Sequence, residues 1–188
     1  MEASTRLFSR RPERGLPPSA WFTWHARIFR PGVRVLDLAS GSGRHALAAA
    51  ERGAEVVAAD ADGEALGILE REAQRRQLPV KCLHVDLHTS QIAPASFDVV
   101  MMFNYLDRGR FPDILGAVRP DGHLLAETFL VAQRDQGWGP QSDDHLLQPG
   151  ELLRLVKPFE VVLSREVIEV IDGRPAALAS VLAIRPGK

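Results

Sequence analysis

Val33-Arg34-Val35-Leu36-Asp37-Leu38-Ala39-Ser40-Gly41-Ser42-Gly43-Arg44-His45-Ala46 reads as a strand, a glycine-bearing turn and the start of an alanine-rich helix. That succession opens a nucleotide-binding α/β unit, in which the turn lets backbone amides approach the ligand. Gly41-x-Gly43-x-x-Ala46 satisfies the dinucleotide fingerprint, and Asp60 lies about 20 residues on, where a ribose hydroxyl is expected. Asp37 argues against a dinucleotide. A carboxylate inside the strand, four residues ahead of Gly41, sets like charge toward a pyrophosphate. It suits a ligand with positive charge near the loop, such as the ammonium and sulfonium of S-adenosylmethionine.

Outward from this stretch, strands and helices alternate. Residues 19–29 place apolar side chains at helical spacing and stop before Pro31-Gly32, which predicts a short capping helix. The first strand is 33–38, and the first crossover helix runs over 43–52 with Gly53 at its C′ position. Strands follow at 54–60, 80–85 and 97–103, with a helix from Asp62 to before Pro79 between the first two. The 97–103 strand is apolar after its start, as a central parallel strand covered on both faces should be. A helix over 109–118, a turn at Pro120-Asp121-Gly122 and a strand over 123–129 come next. Residues 130–148 break the rhythm. A helix follows Pro149-Gly150-Glu151, and β runs at 159–171 and 175–184 flank Asp172-Gly173, a strong hairpin signal. The pattern predicts a doubly wound sheet with one reversed strand.

The chain has 188 residues, enough for one domain with a real core. Its formal net charge of −1 supplies no overall field to recruit nucleic acid or an anionic membrane, although Arg6, Arg10, Arg11 and Arg14 crowd the amino terminus. Residues 1–18 are therefore expected to be a flexible arginine-rich arm, and 19–188 a single domain. No apolar run reaches the roughly 18 residues of a membrane span. The single cysteine, Cys82, cannot form an internal disulfide and fits a reducing cytoplasm, the expected location. Ser9-Arg10-Arg11 lacks the apolar stretch that an export signal needs after it. The sequence leaves the oligomeric state open.

Several segments, in order and at this spacing, resemble one family. They are Asp37-x-Ala39-x-Gly41-x-Gly43-Arg44-His45-Ala46, Asp60, Val85-Asp86-Leu87 and Phe97-Asp98-Val99-Val100 with Asn104-Tyr105. Arg119-Pro120-Asp121-Gly122-His123-Leu124, Glu127-Thr128-Phe129 and Leu146-Leu147-x-Pro149-Gly150-Glu151-Leu152 complete the set. Over 19–188 the chain is similar to the small class I S-adenosylmethionine-dependent methyltransferases, nearest the bacterial group similar to the tellurite-resistance methyltransferase. The resemblance implies a doubly wound, mostly parallel seven-stranded sheet with helices on both faces and a C-terminal antiparallel hairpin. It implies S-adenosylmethionine as cofactor, leaving as S-adenosylhomocysteine, held by Asp37, Ala39, Ser40, Gly41, Gly43, His45, Asp60, Ala61, Asp86, Leu87, Phe103, Asn104 and Tyr105. Ala39 departs from the pattern, since many relatives have Gly or Cys there.

Position suggests how these residues divide the work. Glycines 41 and 43 let the backbone approach the ligand, and the amides opening the next helix receive the methionine carboxylate. Asp37 faces the ammonium end, Asp60 the ribose hydroxyls, and Asp86 the adenine amino group with Leu87 against the ring. All stand at carboxyl ends of strands, where open α/β sheets bind ligands. Asp60 as a helix cap and Asp86 as a turn residue are the plainer readings. Arg44 and His45 read as structural and electrostatic neighbours of the loop, not as catalysts. Trp21 and Trp24 read as helix-packing aromatics, and Cys82 as core. His84 and His88 are four apart, but a strand end intervenes, so no metal is expected.

The expected reaction is in-line transfer of the sulfonium methyl to a small-molecule acceptor. Tyr105, Arg134, Trp138 and His145 are the candidate acceptor residues, the last three from 130–148, a candidate lid and acceptor loop. A solvated connector is the plainer reading of that segment. Base-amino methylation would want prolines after the fourth strand, and Asn104-Tyr105-Leu106 has none. Alternatives are an RNA methyltransferase using the basic arm, a non-catalytic S-adenosylmethionine-binding protein, and an NAD-dependent oxidoreductase, which Asp37 and the closing hairpin disfavour.

Overall fold

The structure, a computed structural model, describes residues 16–187. The arginines of the amino-terminal arm, Arg6 to Arg14, lie outside the described residues. Seven strands form one sheet: β1 (Arg34–Leu38), β2 (Glu55–Asp60), β3 (Val80–His84), β4 (Phe97–Phe103), β5 (Val118–Phe129), β6 (Glu160–Ile171) and β7 (Arg174–Ile184). Their order is β3-β2-β1-β4-β5-β7-β6, with β7 antiparallel to both its neighbours and the remaining pairs parallel. This is the doubly wound sheet with a closing hairpin that the alternation of strands and helices predicts. The chain builds outward from β1 to β3, then returns to lay β4 on β1's other side. The crevice between the carboxyl ends of β1 and β4 is the topological switch point, where such sheets take their ligands.

Helices cover both faces because the strands alternate apolar residues to each. On one face lie α1 (Ala20–Trp24), α2 (Arg44–Ala50) and α3 (Gly63–Arg76), whose Trp21, Phe22, Leu66 and Leu69 pack with Val35, Met101 and Leu125 of the sheet. On the other lie α4 (Phe111–Ala117) and α5 (Glu151–Leu155), with Ile114 and Leu152 against Leu36, Val100 and Leu124. Gly53, at φ +91°, ends the turn after α2, and its N–H donates to the Ala50 carbonyl.

Three local expectations need correction. The helix read over 19–29 is a five-residue helix capped by the Ser19 hydroxyl, followed by a separate 3₁₀ turn, Ala26–Ile28. Pro120-Asp121-Gly122 does not separate a helix from a strand but bulges out within β5. Phe97 pairs with Val118 and Val99 with His123, so β5 carries extra residues there. A Cβ on Gly122 would stand 2.8 Å from the Asp98 carbonyl and 2.9 Å from that of Arg119, so only glycine fits. The segment 130–148 forms two 3₁₀ turns, Val131–Gln136 and Asp143–His145, and bridges Leu130 to Leu147. Gln133, Leu146 and Leu147 are fully buried, so it is a packed strap, not a solvated connector.

Candidate active site

The β1–α2 loop is stitched to the end of β2. Asp60 accepts from the Gly41 N–H (2.7 Å) through Oδ2 and from the Asp62 N–H (2.8 Å) through Oδ1. The Ser40 N–H donates to the Ala59 carbonyl (3.2 Å). Asp62, not Asp60, caps α3, accepting from Glu64 and Ala65 at 3.0 Å. Asp37 is 2% exposed inside β1, in register with Ala58 on one side and Met101 on the other. The Ser40 hydroxyl is buried in the loop and has no hydrogen-bond partner among the described residues. Ala39, Gly41 and Gly43 all take positive φ (56°, 53° and 83°), which turns the loop back sharply toward α2. Gly43 owes its identity to packing as well: a Cβ there would meet the Leu69 side chain at 2.2 Å. Its smallness therefore serves the α2–α3 contact, a different reason from ligand approach.

His45 and Phe103, both expected at the cofactor, have buried rings stacked on each other with centroids 3.8 Å apart. His45 Nε2 accepts from the Ser19 N–H (3.2 Å), tying α1 onto α2. Burial, with Arg44 nearby, holds its pKa well below the ordinary value, so the ring is neutral with its proton on Nδ1. Its structural reading describes it better than a ligand-contact reading. At the end of β4, Asn104 is exposed in a left-handed conformation (φ +57°) that asparagine tolerates, its N–H on the Glu127 carbonyl (2.9 Å). Tyr105 beside it is half-buried. Burial first, then the charge of Asp107, pushes its phenol to about 12, so it remains a proton donor at neutral pH.

Asp86 is exposed at the end of β3 and accepts from the His88 N–H (2.9 Å), which lowers its pKa and closes a turn. The turn reading therefore describes Oδ1, and Leu87 packs partly buried beside it. His84 and His88 turn to different partners. His84 donates to the Ala61 carbonyl (3.0 Å), and His88 Nδ1 to Asp107 Oδ2 (2.6 Å). The His88–Asp107 pair, which joins the loops after β3 and β4, was not legible in the sequence because its members stand 19 residues apart. Arg108 is a second such residue. It donates to Glu151 (2.6 Å) and to the Leu146 (2.8 Å) and Asp143 (3.0 Å) carbonyls, so it pins the strap to α5.

The candidate acceptor residues of the strap are committed locally. Arg134 pairs with Asp143 (2.6 Å) and donates to the Gln141 carbonyl (3.0 Å). Trp138 donates to the Pro175 carbonyl (2.7 Å) and meets Phe129 edge-on, anchoring the strap to the hairpin. His145 is half-buried in the second 3₁₀ turn. Tyr105 follows the carboxyl end of β4, which borders the β1–β4 crevice.

Residues 35–122 match the methyltransferase-domain family. TehB from Haemophilus influenzae superposes with a TM-score of 0.73 at 21% identity, over 87% of this chain and 60% of that one. Over residues 35–122 the chain is similar to a methyltransferase domain, and its sheet has the class I methyltransferase fold. The ubiquinone biosynthesis O-methyltransferase of Idiomarina loihiensis is 29% identical over 145 residues, 66% of this chain and 59% of that enzyme. The ribosomal protein L11 methyltransferase of Symbiobacterium thermophilum is 30% identical over 132 residues, 68% of this chain and 42% of that enzyme. The chain thus spans less than two thirds of the length of either relative.

Family and fold imply S-adenosylmethionine as the cofactor, and the crevice fits it. The unpartnered Ser40 hydroxyl lies in the loop that would meet the methionine end. The Asp60 carboxylate, fixed by two amides, keeps lone pairs for ribose hydroxyls. Among the described residues, no helix is long and apolar enough to cross a membrane.

Proposed function

We propose that this chain transfers a methyl group from S-adenosylmethionine to a small-molecule acceptor. The observation that carries the reading is the Asp60-fixed β1–α2 loop, closed on the switch-point crevice beside Asp37. Bound there, the cofactor would supply an activated methyl group on a sulfonium, suited to in-line transfer to an acceptor lone pair. The chain's own work is placement. Asp37 holds the positively charged end, Asp60 the ribose, and Asp86 with Leu87 the adenine. Well-aligned reactants gain on the order of 7–11 kcal/mol over free encounter. Tyr105, protonated, donates a hydrogen bond to the acceptor and takes no proton from it. An acceptor that reacts through an O–H or N–H therefore gives its proton to solvent or to another base, whereas soft anions have none to give.

The small-molecule acceptor rests on the net charge of −1, on the lack of proline in Asn104-Tyr105-Leu106, and on a relative named for ubiquinone biosynthesis. The relative named as a ribosomal protein L11 methyltransferase keeps a macromolecular acceptor as the alternative. Incubation with methyl-labelled cofactor and a panel of thiols, selenite, tellurite, phenols and total RNA tests it. Label in a small-molecule product is expected. Label in RNA alone overturns the acceptor class, and cofactor binding with no transfer to any acceptor favours a non-catalytic binding protein.

A further inference from the structure

We propose that the outer edge of β6 is the surface through which two copies of this chain pair, antiparallel and in a register centred on Val167. Among the described residues, the large apolar side chains left exposed are Val161, Val162, Leu163, Ile168 and Val170 on this strand, with Trp24 and Leu153 elsewhere. β6 pairs with β7 on one side and ends the sheet on the other. It is 12 residues long, about twice an ordinary strand. Natural edges of that length are usually blunted by charged side chains, lysine above all, by proline or by a bulge; here Glu166 accepts from the Gly150 N–H and Arg165 bonds Glu169. Glu160–Ile171 contains neither Lys nor Pro, and its register shift lies between Val161 and Leu163, which leaves 163–171 regular.

The pattern of the strand names the occupant. About a two-fold axis perpendicular to a sheet, antiparallel strands bring together residues of the same pleat face, so the axis falls on a residue. With Val167 on the axis, Arg165 faces Glu169 of the second copy and Leu163 faces Ile171. Val167 faces its own counterpart. This is the face on which Arg165 already bonds Glu169 (2.9 and 3.0 Å) and lies 4.7 Å from the exposed Trp24 ring. On the other face, Glu166 meets Ile168 and Ser164 meets Val170. Registers centred on Arg165, Glu166 or Glu169 set a charge against its own copy, which is destabilising. One centred on Ile168 sets Glu169 against Val167.

Leu163-x-Arg165-x-Val167-x-Glu169-x-Ile171 is therefore its own complement when reversed: apolar on apolar, cation on anion. Arg165 is also held within its own chain by Glu127 (3.0 Å) and Ser180 (3.2 Å), so in the pair it is the more exposed Glu169 of each copy that turns toward the second copy's Arg165. Trp24, on α1, lies over Arg165 on this face.

Sedimentation of the full chain, with Ile168→Asp and Ile168→Lys beside it, tests the proposal. Ile168 is 63% exposed, so neither change disturbs the fold, which circular dichroism checks. The wild type is expected at twice the chain mass at tens of micromolar. Ile168→Asp sets a carboxylate against Glu166 of the second copy and is expected to weaken dimerisation about ten-fold. Ile168→Lys sets an ammonium there and is expected to keep the dimer. Val167→Lys and Val167→Glu are each expected to be monomeric, and their equimolar mixture to pair again. A monomeric wild type overturns the proposal. So does a dimer that neither Ile168 variant touches, or one that both weaken equally.

Discussion

Asp60 fixes the β1–α2 loop through the Gly41 and Asp62 amides, and in the proposed function its remaining lone pairs take the cofactor's ribose. Asp60→Ala is expected to weaken S-adenosylhomocysteine binding at least ten-fold in a calorimetric titration, since hydrogen bonds to a charged group contribute about 1.5–3 kcal/mol. Unchanged affinity would leave it a loop fastener alone. Ala39 holds φ +56°, where an L-residue is strained by roughly 1–2 kcal/mol. Ala39→Gly is therefore expected to stabilise the fold by about 1 kcal/mol, read as a higher Tm, after allowance for glycine's freedom in the unfolded chain. At this scale the carboxylates at the strand ends were legible because their spacing from the glycines is a local pattern. The reason for Gly43 was not, because Leu69, the side chain that forbids a Cβ there, comes from another helix.

Between elements, the sequence was legible where a period or a turn is local and silent where the partner is distant. The apolar run of β4 and the Asp172-Gly173 turn announced themselves. The bonds that brace the site did not: His45 to Ser19, His88 to Asp107 and Arg108 to Glu151 each join separate elements. His45 has a measurable signature. Its folded pKa is depressed, so below about 6.5 the unfolded chain takes up a proton that the folded ring refuses. Stability is thus fully present above that pH and falls as pH drops, by up to about 1.4 kcal/mol per pH unit from this group. His25 and His123 are shifted the same way by burial and add to the slope. Denaturant unfolding from pH 7.5 to 5.5 is expected to show the loss, and His45→Gln a shallower slope. An equal slope in the variant would mean that the buried ring does not carry it. In the β5 bulge, Gly122→Ala is expected to lower stability by about 1–3 kcal/mol through the clash with two carbonyls.

For the whole molecule, strand order is the functional fact. β4 returns to lie beside β1, and the crevice this opens gathers Asp37, Asp60 and the Asn104-Tyr105 corner at one rim. The alternation of strands and helices foretold that crevice. The same alternation said nothing of the sheet's far edge, because exposed valines on a strand read in sequence like buried ones. The acceptor is the least legible part, since the strap that was to supply it spends Arg134 and Trp138 on its own anchorage. The donor is the account's central claim. Calorimetric titration of the chain with S-adenosylhomocysteine and, separately, with NAD tests it most directly. Binding of S-adenosylhomocysteine with no heat from NAD is the expected result. Binding of NAD alone would contradict it.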